Sequence, residues 1–401
     1  MALVHEMLHP AGEGDAEDPR AFSIVLGGPL YQLLRRAHIS GDALELARRR
    51  IVSFAVLGWL PLAVLALLAR THDAAPAVSF LKDIEVHVRF LVAVPLLIAA
   101  ELLVHLRLRP VAGEFVARDL VPAESLGRFH ECLHSAFRLR NSITAEVAMI
   151  ALIYGLGIPF LWRHFAVLDV PTWYSTPTPD GPHLTLAGYW YAYVSVPIFQ
   201  FLLLRWYFRI AIWIRFLWQV SRIPLELSAM HGDLCAGLGF LSGTVFAFVP
   251  LLMAHGALMG GNIANRVIHA GAKLPDSSIE VVILLAYLLV LMVGPLAVFA
   301  PQVAAAKRAA NRDYGRLAQR YAREFESKWI GSRESPLGTG DIQSLADLSN
   351  SLATVRATRT VPVTREAVVK LALATLAPMA PLLLTVIPAR ELALRLIKLL
   401  L

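Results

Sequence analysis

Two strings in this sequence have residue types and spacing suited to chemistry. The sharper is His130-Glu131-x-x-His134, which on a helix sets two imidazoles one turn apart with a carboxylate beside them, the arrangement that binds zinc and activates water in zinc peptidases. A second copy stands at His5-Glu6-x-x-His9, but Pro10 follows it directly, and charged Arg128 lies two residues before the internal copy. No third ligand follows either at a familiar spacing, so solvated helix faces account for both and no zinc cofactor is expected. The other string runs from Leu204 to Arg222, where Arg205, Arg209, Arg215, Gln219 and Arg222 fall within an arc of roughly 140° at about 100° per residue. The rest of that helix is aromatic and aliphatic. Such an arginine stripe either snorkels to phospholipid headgroups or lines a vestibule that attracts a small anion.

A third feature is a pair of ionisable residues inside an apolar run. Glu101 lies within the inner half of the stretch Val88 to Leu106, and His105 follows one turn later on the same face. A charge at that depth needs a partner. Arg205 and Arg209 are candidates at similar depth, and Glu146 opens a later apolar run on the same side. A salt bridge between helices is expected ahead of a gate or proton relay, because burial is costly for an unpaired charge. His255, among Gly239, Gly243, Gly256 and Gly260, reads as a packed, hydrogen-bonded residue on a helix whose small residues allow close contact.

The elements that must position these residues are membrane helices. Of 401 residues, 57% are hydrophobic and 17% charged. The mean hydropathy of +0.58 excludes an ordinary soluble domain. The net charge of +7 does not imply nucleic acid, because the basic residues sit at the ends of apolar runs, where they meet lipid headgroups. An all-α bundle of about six spans is expected: Ile51 to Ala69, Val88 to Leu106, Val147 to Ala166, Tyr189 to Tyr207, Gly237 to Met259, and Val281 to Ala300. Arginines cluster before the first run and between the second and third, which is expected to place both termini in the cytoplasm. The first fifty residues carry Asp15, Glu17 and Asp18 where a cleaved signal would need an apolar core, so insertion is expected to rest on the first span. Two cysteines, Cys132 and Cys235, point neither to a disulfide framework nor to a cysteine zinc site.

Four regions follow from this pattern: an N-terminal segment, 1-50; the bundle, 51-301; a basic helical module, 302-365; and a C-terminal stretch, 366-401. In the last, Pro378, Pro381 and Pro388 suggest a re-entrant or interfacial hairpin before an amphipathic helix from Arg390. Asp341 and Asp233 are expected to cap following helices, and the loop Asp169 to His183, with Trp173 and Tyr174, to form an aromatic anchor at the interface. No internal repeat supports an inverted-repeat transporter.

Leu26-Gly-Gly-Pro-Leu-Tyr31, Leu203-Leu-Arg-Trp-Tyr-Phe-Arg209, Gly237-Leu-Gly-Phe-Leu241 and Asp341-Ile-Gln-Ser-Leu-Ala-Asp347 together resemble an uncharacterised family of polytopic proteobacterial inner-membrane proteins. Members of that family carry His-Pro-Asp before the glycines, where this chain has His231-Gly232-Asp233. The resemblance implies location and architecture and supplies no mechanism. On the residues alone, the leading expectation is a homo-oligomeric channel or channel-like transporter for a small ion, with an anion the kind its arginines suit. Arg205, Arg209 and Arg215 would line its inner mouth, with Glu101 and His105 near a constriction. The alternative is a membrane-anchored scaffold or lipid-binding protein with no permeation path, and a zinc-dependent hydrolase using His130, Glu131 and His134 stands behind both. The reading leans away from an enzyme. The first two separate on one point, whether Glu101 and Arg209 face water or are sealed in a helix contact.

Overall fold

A computed structural model of the chain describes residues 22–29, 31–32, 43–69, 79–158, 172–178, 181–330 and 339–385. Among them the protein is an all-α polytopic bundle. In chain order the helices are α1 (Ala43–Ala69), α2 (Ile84–Ala117), α3 (Leu126–Arg140), α4 (Ile143–Gly157), α5 (Leu186–Val220), α6 (Gly239–Ala270), α7 (Leu274–Trp329), α8 (Asp341–Ala357) and α9 (Arg365–Leu383). Among the described residues, α1, α2, α5, α6, α7 and α9 are long and apolar enough to cross a membrane. A seventh crossing arises if α3 and α4, bent by 45°, count as one. The run Val147 to Ala166, expected as the third span, is described only to Ile158, and its described part is α4.

The spans are wider than the apolar runs that announced them, and proline explains how several are wound. Proline lacks an N–H and its ring crowds the preceding turn, so the helix must widen or tighten around it. In α2 a π-helical turn, Arg89–Ala93, precedes Pro95; in α5 another, Tyr191–Ser195, precedes Pro197. α6 starts as a 3-10 segment, Gly239–Phe248, ahead of Pro250, and α9 passes Pro378 and Pro381 by changing to 3-10 winding over Ala377–Thr385. The stretch expected to re-enter thus forms a helix to Leu383, and residues 386–401 lie outside the described ones.

Packing follows small residues. An added Cβ at Gly256 of α6 would stand 1.9 Å from the Thr375 carbonyl oxygen of α9, so only glycine lets these helices meet. Gly260 faces Met379 of the same helix, whereas Gly239 meets the Asp233 side chain and Gly243 meets nothing within 4 Å. The core joins Phe90, Leu97 and Phe115 of α2 to Trp206 and Phe216 of α5 and Phe299 of α7. Phe22, wholly buried, stacks on Phe216 at 4.7 Å between ring centres, which draws the segment before α1 into the bundle.

Beyond its apolar part α7 continues unbroken to Trp329, as its basic periodicity suggests. α8 folds back antiparallel along it: Asp341 at the start of α8 meets Lys328 and Trp329, and Thr358 just past its end accepts from Lys307 Nζ at 2.6 Å. Asp341 is not a cap. Gly340 holds that position, and the Asp341 carboxylate accepts from Lys328 Nζ at 2.7 Å and Trp329 Nε1 at 2.9 Å. Asp233 is not the cap of α6 either, Leu238 holding that position; its carboxylate instead accepts from the backbone N–H groups of Cys235 and Gly237 in the loop and of Gly239, the first residue of α6.

Trp173 is buried, not an interfacial anchor. Its ring packs edge-on against Phe80 and its Nε1 donates to Asp83 at 2.9 Å. It is held there by a short antiparallel hairpin, β1 (Ser175–Thr178) and β2 (Gly181–Leu184).

Candidate functional site

The charged residues of the arginine stripe part company along α5. Arg205 and Arg209 point into the bundle, 5% and 4% exposed, because they share with Leu202 and Trp206 the face of α5 that packs on α2 in the core. Arg215, two turns on, is exposed and donates to Ser135 Oγ of α3 at 3.1 Å, and Arg222 stacks on Trp218. The stripe is therefore a buried pair followed by a surface pair.

Glu101 of α2 is the hub of the buried part. Its carboxylate accepts from Arg209 at 2.7 Å and from Arg50 of α1 at 2.5 Å, so three helices meet at one side chain. The pairing of Glu101 with α5 was legible from depth; Arg50 was not, because it looks like one more cation flanking a span. His105, one turn along, makes a 3.0 Å hydrogen bond between Nδ1 and Ser23 Oγ. Glu101 and Arg209 are thus sealed in a helix contact, and His105 is buried beside them.

Over this hub lies the segment Phe22–Gly28. Arg140, at the end of α3, donates to the Ser23 carbonyl at 2.7 Å and to Asn141 Oδ1 at 3.1 Å. The Gly28 N–H also donates to Asn141 Oδ1, which fastens the segment to the α3–α4 corner. Gly27 has φ +137°, and a Cβ there would lie 2.6 Å from Arg140 Nε, so the Gly27-Gly28 pair is what lets backbone lie flat on a guanidinium. This role could have been suspected from two glycines before a proline, directly after the apolar run Ile24-Val25-Leu26.

Arg205 is different from its neighbours. It reaches Glu101 and Glu146 at 3.8 and 3.7 Å, beyond hydrogen-bond range, and makes no hydrogen bond among the described residues. It lines a narrow cleft with Gly27, Arg140, Glu146, Met149 and Arg209, an open space of about 270 Å³ of which a water-sized body can occupy about 10 Å³. Four guanidinium groups, Arg50, Arg140, Arg205 and Arg209, stand against two carboxylates, Glu101 and Glu146. Among the described residues of this cluster the positive charges outnumber the negative by two, and an anionic oxygen fits the cleft by size and sign.

The zinc string is placed on α3, with His130 partly buried against Phe129 and with Glu131 and His134 exposed. Among the described residues no group of three His, Cys, Asp or Glu is set to hold a metal ion. The copy at His5 and His9 lies outside the described residues. His255 is packed as expected, between Tyr207 Oη at 2.7 Å and the Leu251 carbonyl at 2.8 Å.

Compared with known protein families, with curated proteins and with solved structures, the chain matches none.

Proposed function

We propose that this membrane protein binds an anionic phospholipid headgroup through Arg205, Arg140 and Arg209, and that the cluster around Glu101 holds α1, α2 and α5 together to keep that cradle in shape. The observation that carries this reading is Arg205, a buried guanidinium that meets both nearby carboxylates only beyond bonding distance in a cluster with surplus positive charge. Cationic pockets between helices at the headgroup level select anionic lipids. With the arginine-rich ends of the spans in the cytoplasm, the cradle lies in the inner leaflet, on the side of the α7–α8 module. That module is the part suited to recruit a partner, as in a membrane-anchored scaffold.

A pore lined by Arg205, Arg209 and Glu101 is the less favoured reading, since the hydrogen bonds at Glu101 occupy the groups a permeating ion would need. Conduction would then require a path between subunits of a homo-oligomer. The test is native mass spectrometry of the purified protein with phosphatidylglycerol and phosphatidylcholine of matched chains, alongside conductance in planar bilayers under a chloride gradient. Tighter binding of phosphatidylglycerol, lost in Arg205→Ala, is expected together with silent bilayers. Equal binding of the two lipids, with a chloride current altered by Arg209→Ala, would overturn the proposal in favour of the channel.

A further inference from the structure

Past its apolar part α7 carries a second set of arginines, apart from the Glu101 cluster. Gln302 ties this helix to the end of α5, donating to the carbonyls of Ser221 and Ile223. Beyond it Arg308, Arg312, Arg316, Arg320 and Arg323 are all exposed, and at about 100° per residue they fall within an arc of roughly 120°. Lys307, Tyr321 and Trp329, whose side chains bond α8 or the residue just past it, centre on nearly the opposite side of the helix. α8 therefore braces α7 from behind and leaves the arginine row open. From Lys307 to Arg323 the sequence holds six cations and one carboxylate, Asp313. Asp313 reaches Arg316 only at 4.0 Å, the two side chains being 71% and 78% exposed, and among the described residues no other carboxylate pairs with the row.

The row is about 22 Å long, with its charges about 6 Å apart, and position and neighbours narrow what it can hold. The apolar part of α7 ends at Phe299, and Arg308 and Arg323 stand about 14 Å and about 36 Å of helix rise beyond it. A headgroup layer is only about 5–8 Å deep, so the row stands clear of the lipid surface. Nucleic-acid strands are held by cations interleaved with rings on which bases stack. The rings of this stretch, Tyr314, Tyr321, Phe325 and Trp329, all lie on the α8 side of the same wheel. A second copy would bring the same sign of charge to the same face. A row of carboxylates at four-residue spacing on a helix fits, because each guanidinium can fork one carboxylate. We infer that the Arg308–Arg323 face of α7 docks an acidic helical segment of a partner protein. This gives chemistry to the recruiting role of the α7–α8 module and does not rest on the headgroup site.

The experiment is a fluorescence-anisotropy titration of the full chain in phosphatidylcholine nanodiscs with three probes of equal charge. They are a helical peptide of about 20 residues with glutamate at every fourth position, a peptide of the same composition in scrambled order, and a single-stranded oligonucleotide. The ordered peptide is expected to bind about tenfold tighter than either other probe and to weaken as salt rises. A single exposed pair contributes little, so the variant combines Arg312→Gln, Arg316→Gln and Arg320→Gln; all three side chains are exposed, and the fold is expected to survive. It is expected to weaken the ordered peptide about tenfold and to keep the preference for phosphatidylglycerol. Absence of binding, equal binding of ordered and scrambled peptides, tighter binding of the oligonucleotide, or a triple variant that binds as wild type does would each overturn the inference. Arg205→Ala is expected to lose the lipid preference and keep the peptide, so failure here and failure of the headgroup reading are told apart.

Discussion

Glu101→Gln separates a structural hub from an ion pathway, and its effect can be worked from the geometry. Glu101 holds Arg50 at 2.5 Å and Arg209 at 2.7 Å with side-chain exposure of 9%. Taking charge centres about 4 Å apart at an effective dielectric of about 20, each pair contributes about 4 kcal/mol of attraction. Against the two together stands the cost of taking the carboxylate out of water, several kcal/mol, which leaves a net loss of about 3–5 kcal/mol when the charge is removed. Glutamine keeps the shape and one acceptor, so the lower end of that range is expected. The assay is denaturant unfolding of the purified protein, read as a shift of midpoint at constant slope. Adding Arg50→Gln to Glu101→Gln should recover part of the loss, because it removes one of the cations left unpaired. Arg205→Ala should cost less than Glu101→Gln, since Arg205 makes no close pair and its removal lowers the surplus charge. Glu101→Gln should also bind phosphatidylglycerol several-fold more tightly than wild type. A Glu101→Gln protein within about 1 kcal/mol of wild type would refute the hub, that being the scale of an exposed pair.

Two further outcomes test the packing and the loop before α6. Gly256→Ala should lower stability by about 2–3 kcal/mol or more through overpacking, because the added Cβ meets backbone of α9 that cannot turn aside; Gly243→Ala, with open space around it, should be neutral or slightly stabilising in the same titration. Burial pushes the Asp233 carboxyl up, but donation from the Cys235, Gly239 and Gly237 N–H groups, with His231 adding to it, outweighs this and holds it below the usual carboxylate range. Its contribution is therefore present above the unfolded value of about 3.9 and lost as pH falls through the lower folded value. Hydrogen exchange should show those three amides deprotected at acid pH in wild type and already at neutral pH in Asp233→Ala; unchanged protection across the range would sink the assignment.

The bundle was legible because membrane helices are announced by composition and length, and lysine and arginine mark their ends. What the sequence hid is geometric. The outer turns of α2 and α5 carry Glu85, Arg89 and Tyr191, polar groups that bond one another and so extend helices past the apolar run. Trp173 reads as an interfacial aromatic until Asp83 and Phe80, some ninety residues earlier, are seen to enclose it. At the site, the Glu101 and Arg209 pair follows from matched depth, but Arg50, Arg140 and the covering Gly27-Gly28 do not, since each depends on which face of its element turns inward. A regular stripe on a helical wheel also overstates continuity: Arg205 and Arg215 share an arc of α5, yet one turns into the core and the other lies exposed beside α3.

The order in which the chain is made bears on how the Glu101 hub closes. Arg50 and Glu101 are both present once α2 has left the ribosome, so the first two helices can enter the bilayer already neutralised against each other. Arg209 follows 108 residues after Glu101, which at about 5–20 residues per second is a delay of roughly 5–20 s. During that interval the hairpin of α1 and α2 stands on one ion pair. The segment Phe22–Gly28 can find its place only when α3 and α5 exist, so it is made well before the helices on which it docks.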